Sequence, residues 1–410
     1  MNALGKTWRS FIAAPHRVMF FGGAVQIVAA MVWWLVELVT RYGVAGQPVA
    51  WTLLPHAAHG YLMIFGLFIF FIFGFVMTTF PRWMGGKEIK PRPYVTAFVL
   101  LLSGSVLFYA GLLTHISMLQ FALASTLAGW AVGIYALLRV VLDTPPSDKM
   151  NPIVILLSLL MGWLGVAAFM LWLASDNMRW LQISTQLGLW FFLVPLFVSV
   201  GHRMIPFFTM SALPQLKVSR PIWPWWMLLV ASVMHGLLQL NDATEWLWLC
   251  DGPAMVAAFY LSYSWGFLHS FKNPMLSILH VGFAWLGIAL LLYTVQSAVQ
   301  YVSHDTLFIL GLAPLHALTI GFFASLVLGM GTRVTLGHSG LPFKVDIALK
   351  AMFAGIQIDA ILRVLADVMP HPYYSGLYLV SAVVWLACFT PWVWRYLPAY
   401  WRVRADGKPG

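Results

Sequence analysis

Apolar residues run along this chain in long blocks with almost no alternation of apolar and polar positions. Twelve blocks stand out, at about 18–40, 52–79, 94–113, 118–141, 152–174, 180–208, 221–240, 246–271, 274–299, 307–333, 347–368 and 373–397. Each is long enough as a helix to cross a hydrocarbon layer of roughly 30 Å, which takes about 20 residues. Proline opens or precedes several of them, as at Pro152, Pro221 and Pro274; it fits the first helical turn, where its missing N–H costs nothing. The connections are short and polar, and no stretch is long enough for a separate soluble domain. The pattern predicts an all-α fold: a polytopic membrane helical bundle of about twelve spans, forming one transmembrane domain over residues 1–410.

Composition agrees. Of the 410 residues 61% are hydrophobic and 9% charged, against about 25% charged in soluble domains. A membrane β-barrel would alternate in segments of about ten residues, and this chain does not. The net charge of +10 follows topology. With the N-terminus in the cytoplasm, 20 of the 23 Lys and Arg residues fall on the cytoplasmic side, and Arg41, Arg179 and Arg363 are the exceptions. That asymmetry predicts both termini inside and an even number of helices, and it removes the reason to expect a nucleic-acid partner; membrane lipids are the expected surroundings. Cys250 and Cys388 lie in separate spans and form no CxxC pair. The basic N-terminal stretch runs into a full-length helix without a convincing cleavage site and is expected to be retained. No repeat is evident between the two halves.

Ionisable residues within membrane spans are expensive, and each is a functional candidate. Glu37 falls near the outer end of the first span, within reach of the interface, and Asp251 early in the eighth. Asp359 and Arg363, four apart in the eleventh span, share a helix face and are expected to pair. The twelve histidines are more informative. Topology sorts most of them by depth: His56, His59, His235 and His316 toward the outer side, His202, His269, His280 and His338 toward the inner. Imidazole ligates haem iron, copper and zinc, although a single buried histidine is more often a hydrogen-bonded packing residue. His115, His269, His304 and His371 read as loop or interfacial residues, and His16 most plainly so. No GxGxxG, P-loop, HExxH or Ser-His-Asp pattern competes.

Four stretches carry a family resemblance: "HGYLMIFGLFIFFIFGFVMTTFPRWMG" (59–85), "GHRMIPFFT" (201–209), "LHVGFAWL" (279–286) and "LHALTIGFFASLVLGMGTRVTLGHSGLP" (315–342). With them the chain resembles the NnrS family over essentially its whole length. Where the family commonly has a second histidine two positions after His59, this chain has Tyr61, so that ligand does not carry over. His202 stands where many members have a small residue.

The resemblance implies a protein of the bacterial inner membrane that holds haem b and copper and is linked to nitric oxide metabolism and nitrosative stress. It implies a redox role, and a membrane oxidoreductase acting on NO or a related nitrogen species is one form that role could take. His59 and His316, at matching depth in the second and tenth spans, are the expected axial haem ligands, with Tyr61 and Thr319 as local hydrogen-bonding candidates. This arrangement is like that of haem-copper oxidases, an analogy at the level of fold. His202, His280 and His338 are the expected metal site, taking copper or a second haem. Arg203 and Arg333 are placed to meet haem propionates. The expected partners are a small diatomic ligand such as NO and an electron donor, a quinol or a periplasmic carrier. The alternative is a transporter or sensor for a metal or small molecule that uses the same histidines; the apolar midplane disfavours it.

Overall fold

The computed structural model describes residues 3–145, 148–304, 308–370 and 373–407. Leu307, which opens the tenth expected span, and His371 lie outside them. Among the described residues the chain is helical, with no strand. A short helix α1 (Ala3–Phe11) precedes α2 (Pro15–Arg41), α3 (Pro55–Met84), α4 (Pro91–Leu113), α5 (Ile116–Asp143), α6 (Met150–Ser175) and α7 (Met178–Ala212). Then follow α8 (Ile222–Leu240), α9 (Trp248–Ser264), α10 (Pro274–Ser303), α11 (Ala313–Ser339), α12 (Ile347–Val368) and α13 (Tyr373–Tyr396).

Among the described residues nine helices are long and apolar enough to cross a membrane. They are α2 to α7, α10, α11 and α13. The other three expected spans also fold as helices. The eighth is shorter than expected: α9 stops at Ser264, and Gly266 takes a left-handed φ of +91° before a single turn, Phe267–Ser270. The tenth is longer: α11 runs through Arg333 and His338 and ends only at Gly340, whose φ is +70°. His338 therefore sits in the last turn of the helix and not beyond it. Many bulky apolar side chains point outward, among them Val106, Phe121, Leu157, Val230 and Tyr263. An exterior of this kind needs an apolar solvent, and the chain is a multi-pass membrane protein.

The chain divides into two compact units, 1–196 with 335–342 and 393–410, and 197–334 with 343–392. In the first, α2 and α3 approach through glycine. A Cβ on Gly22 would stand 2.6 Å from the ring of Phe70, and one on Gly74 the same distance from Phe20. Around this contact Phe65, Phe73, Trp130 and Trp190 are all buried. In the second, polar pairs tie buried helices together. Trp285 donates to Gln357 at 2.8 Å, and Gln357 donates on to Ser325 at 2.8 Å. Trp392 donates to Thr332, also at 2.8 Å.

Three helices carry π-type turns within them: Leu62–Leu67 in α3, Leu187–Leu193 in α7 and Ala317–Ala324 in α11. Such turns are well under 1% of residues in soluble proteins and occur often at functional sites. Here they recur in every fourth helix from α3. Two of them follow closely on His59 and His316.

Candidate functional site

His316 stands at the fourth residue of α11, after the N-terminal Ala-Pro turn. Its Nδ1 lies 3.0 Å from the Leu312 carbonyl oxygen and 2.9 Å from Asp367 Oδ2. Both partners can only accept, so Nδ1 bears the proton and Nε2 keeps its lone pair. Asp367 is itself held. Arg363 reaches its Oδ1 at 2.6 Å, Tyr378 donates to the same oxygen at 3.0 Å, and the guanidinium lies 4.1 Å over the Tyr378 ring. A carboxylate on the far nitrogen of an imidazole fixes its tautomer and ring orientation and makes it a better electron donor to a metal. Two expectations are corrected here. Arg363 pairs with Asp367, four residues after it, whereas Asp359 accepts from Ser381 at 2.5 Å. Thr319 sends its hydroxyl to the Leu315 carbonyl at 2.9 Å and so does not orient the imidazole.

His59 stands in the first helical turns of α3 and is held differently. Its ring stacks on Trp34 of α2, with centroids 4.1 Å apart and planes 20° from parallel. The Arg41 guanidinium is 5.5 Å over the same indole. Glu37 does not reach out to the interface: it is 5% exposed and accepts from Arg41 at 2.7 Å and from the Trp51 indole at 2.6 Å. Tyr61 turns elsewhere. It stacks on Phe108 at 4.4 Å, is 3.4 Å from the Thr126 hydroxyl, and helps line a small cavity with Phe65, Gly66 and Ser105.

His202 and His280 are each almost fully buried. Nε2 of His202 lies 2.9 Å from the Pro221 carbonyl, an acceptor only, so that nitrogen carries the proton. Nε2 of His280 lies 2.9 Å from the Thr209 hydroxyl, whose own hydrogen goes to the Ile205 carbonyl at 2.9 Å. Thr209 therefore accepts, and His280 too is protonated at Nε2. Both Nδ1 atoms are left with a lone pair, buried and without a hydrogen-bond partner among the described residues. His202 also stacks on Trp225. Arg203 is half-buried beside it; Arg333 is held 3.9 Å over the Phe208 ring and 5.7 Å over that of Phe343.

His338 belongs to the first unit and meets an unexpected partner. Its ring is 4.3 Å from that of His16, which is 2% exposed. The reading of His16 as an interfacial residue is thus corrected, since the start of α2 is covered. Nothing in the local sequence of His16 signals this, because the contact joins residues 322 positions apart. Among the described residues no three His, Cys, Asp or Glu side chains converge closely enough to hold a metal ion as they stand.

Buried imidazoles with fixed tautomers, set in a helical membrane bundle, define a multi-pass membrane protein with donor nitrogens in its interior. The chain belongs to the NnrS protein family, whose model matches residues 10–404. No curated relative matches it.

Proposed function

We propose that this protein binds haem b and copper in the bacterial inner membrane and acts in nitric oxide metabolism, as a redox protein protecting against nitrosative stress. Family membership supports the link to nitric oxide. The observation that carries the cofactor reading is the His316–Asp367 bond, with its proton fixed on Nδ1. It leaves Nε2 as the free donor, which suits an axial haem ligand. The orphaned Nδ1 lone pairs of His202 and His280 fit copper in the same way, since a buried acceptor without a donor is costly until something binds it. His59 is proposed as a haem ligand, His338 as a copper ligand, and Arg203 and Arg333 as cations for propionate groups. The twelve long helices with both termini in the cytoplasm are the proposed topology.

Bound haem supplies one-electron transfer, and copper an open position for a small ligand such as NO. The protein's own part is orientation: Asp367 fixes the imidazole, Arg363 and Tyr378 hold Asp367, and the surrounding apolar side chains exclude water. Electrons come from a quinol or a periplasmic carrier. The test is a reduced-minus-oxidised optical spectrum of the detergent-purified protein and of His316→Ala. A b-type signal in the wild type that is lost in a folded variant supports the reading. Full haem retention in the variant removes His316 as a ligand. A colourless wild type, made with haem in excess, would put the carrier reading in its place.

A further inference from the structure

His235 on α8 and Asp251 on α9 are both wholly buried. Nδ1 of His235 lies 2.9 Å from each carboxylate oxygen, so it donates its proton to Asp251. One turn along α8, the Gln239 amide nitrogen lies 3.1 Å from Nε2 and donates into its lone pair. Tyr293 of α10 meets the imidazole edge-on at 4.7 Å. The Cys250 thiol is 3.7 Å from Asp251 Oδ1. The titratable groups facing the pair are thus Tyr293 from α10 and Cys250 from α9, while α8 offers the neutral Gln239.

In this arrangement a fully buried carboxylate faces a neutral imidazole, which is an expensive state at membrane depth. A proton added at Nε2 makes the pair aspartate and imidazolium, with no net charge. Only one other change is needed: the Gln239 amide turns by half a rotation, so that its oxygen accepts the new N–H. The pair therefore has two hydrogen-bonded states that differ by one proton. It also has a way in. On α10, Tyr293, Gln296, Ser297 and Gln300 are all buried, and spacings of three and four put them on one face. Ser297 accepts from the Trp248 backbone N–H at 3.0 Å, and Gln296 accepts from that of Leu310 at 3.0 Å. This polar face leads from the C-terminal end of α10 toward the imidazole.

We propose that His235 and Asp251 form a proton-exchange site in the membrane interior, loaded through the buried polar face of α10 from its end at Gln300. The proposal needs no haem, so it stands or falls apart from the cofactor reading. The test is infrared difference spectroscopy of the full chain in lipid, perfused alternately with acidic and alkaline buffer. Imidazole and carboxylate bands that respond to heavy water are expected, absent in His235→Gln and shifted in Asp251→Glu. Identical difference spectra in the wild type and both variants would overturn it. Should His235→Gln not fold, Gln300→Leu leaves the pair intact and is expected to slow exchange of those bands into heavy water at least tenfold; an unchanged rate would refute the proposed route.

Discussion

His59 and His316 occupy similar places in the chain. Each lies near the start of a long helix, and each is followed closely by π-type turns. They are held by different forces. His316 is fixed through a nitrogen, by a carboxylate that Arg363 and Tyr378 hold in turn. His59 is fixed through its face, by the indole of Trp34. A bond to Nδ1 chooses the tautomer and so decides which nitrogen can bind a metal. A stacking contact sets the plane of the ring and leaves that choice to whatever the ring meets. On this reading His316 is prepared before any cofactor arrives, while His59 is guided into position and completes its geometry on binding.

Substitutions can break this comparison in graded steps. The largest effect is expected from removing a proposed ligand. His316→Ala and His59→Ala should each lose most of the b-type absorbance while keeping wild-type helicity by circular dichroism. A haem signal of wild-type strength in either folded variant ends that assignment. Next is Asp367→Asn. A neutral acceptor makes the imidazole a poorer donor, so haem or metal should be held about 10–100-fold more weakly, with a higher reduction potential for what remains bound. A redox titration with both quantities unchanged would reduce Asp367 to a packing role. Trp34→Leu should do less, because an aromatic pair contributes about 0.5–1.5 kcal/mol beyond its buried area. Slightly weaker haem retention is expected, and a loss as large as that of Asp367→Asn would contradict the contrast drawn here. Thr319→Val should change nothing in the optical spectrum, since its hydroxyl serves the Leu315 carbonyl; a shifted spectrum would reopen its role toward His316.

The helical fold was legible because burial in lipid leaves a simple signature, an apolar block about as long as the membrane is thick. Where the expected spans missed, at Gly266 and Gly340, the end was set by a residue in the left-handed region rather than by loss of hydrophobicity. The histidines were also legible, as costly residues in apolar surroundings. Their partners were not. Asp367 is 51 residues from His316 and the Thr209 hydroxyl 71 from His280, so the bonds that fix each tautomer come from helix packing and not from local sequence. The Asp359–Arg363 expectation failed for a related reason. Arg363 has an acid four residues away on either side, and only neighbouring helices decide between them: Ser381 takes Asp359, while His316 and Tyr378 gather at Asp367.

The π-type turns in α3, α7 and α11 each store surplus length: a segment with more residues per turn than its flanks, absorbed without breaking the helix. Each α-helical residue advances the side-chain direction by about 100°. Taking one residue out of Ala317–Ala324 would therefore give a regular α11 of nearly the same length, with everything from Ser325 onward turned by about that angle relative to His316. Thr332 and Arg333 would face new neighbours while the sequence around them stayed the same. The three helices are thus points where a length change of one residue acts as a rotation. Comparing the chain by halves is bound to miss them, because they recur at an interval of four helices and a half-chain offset is six.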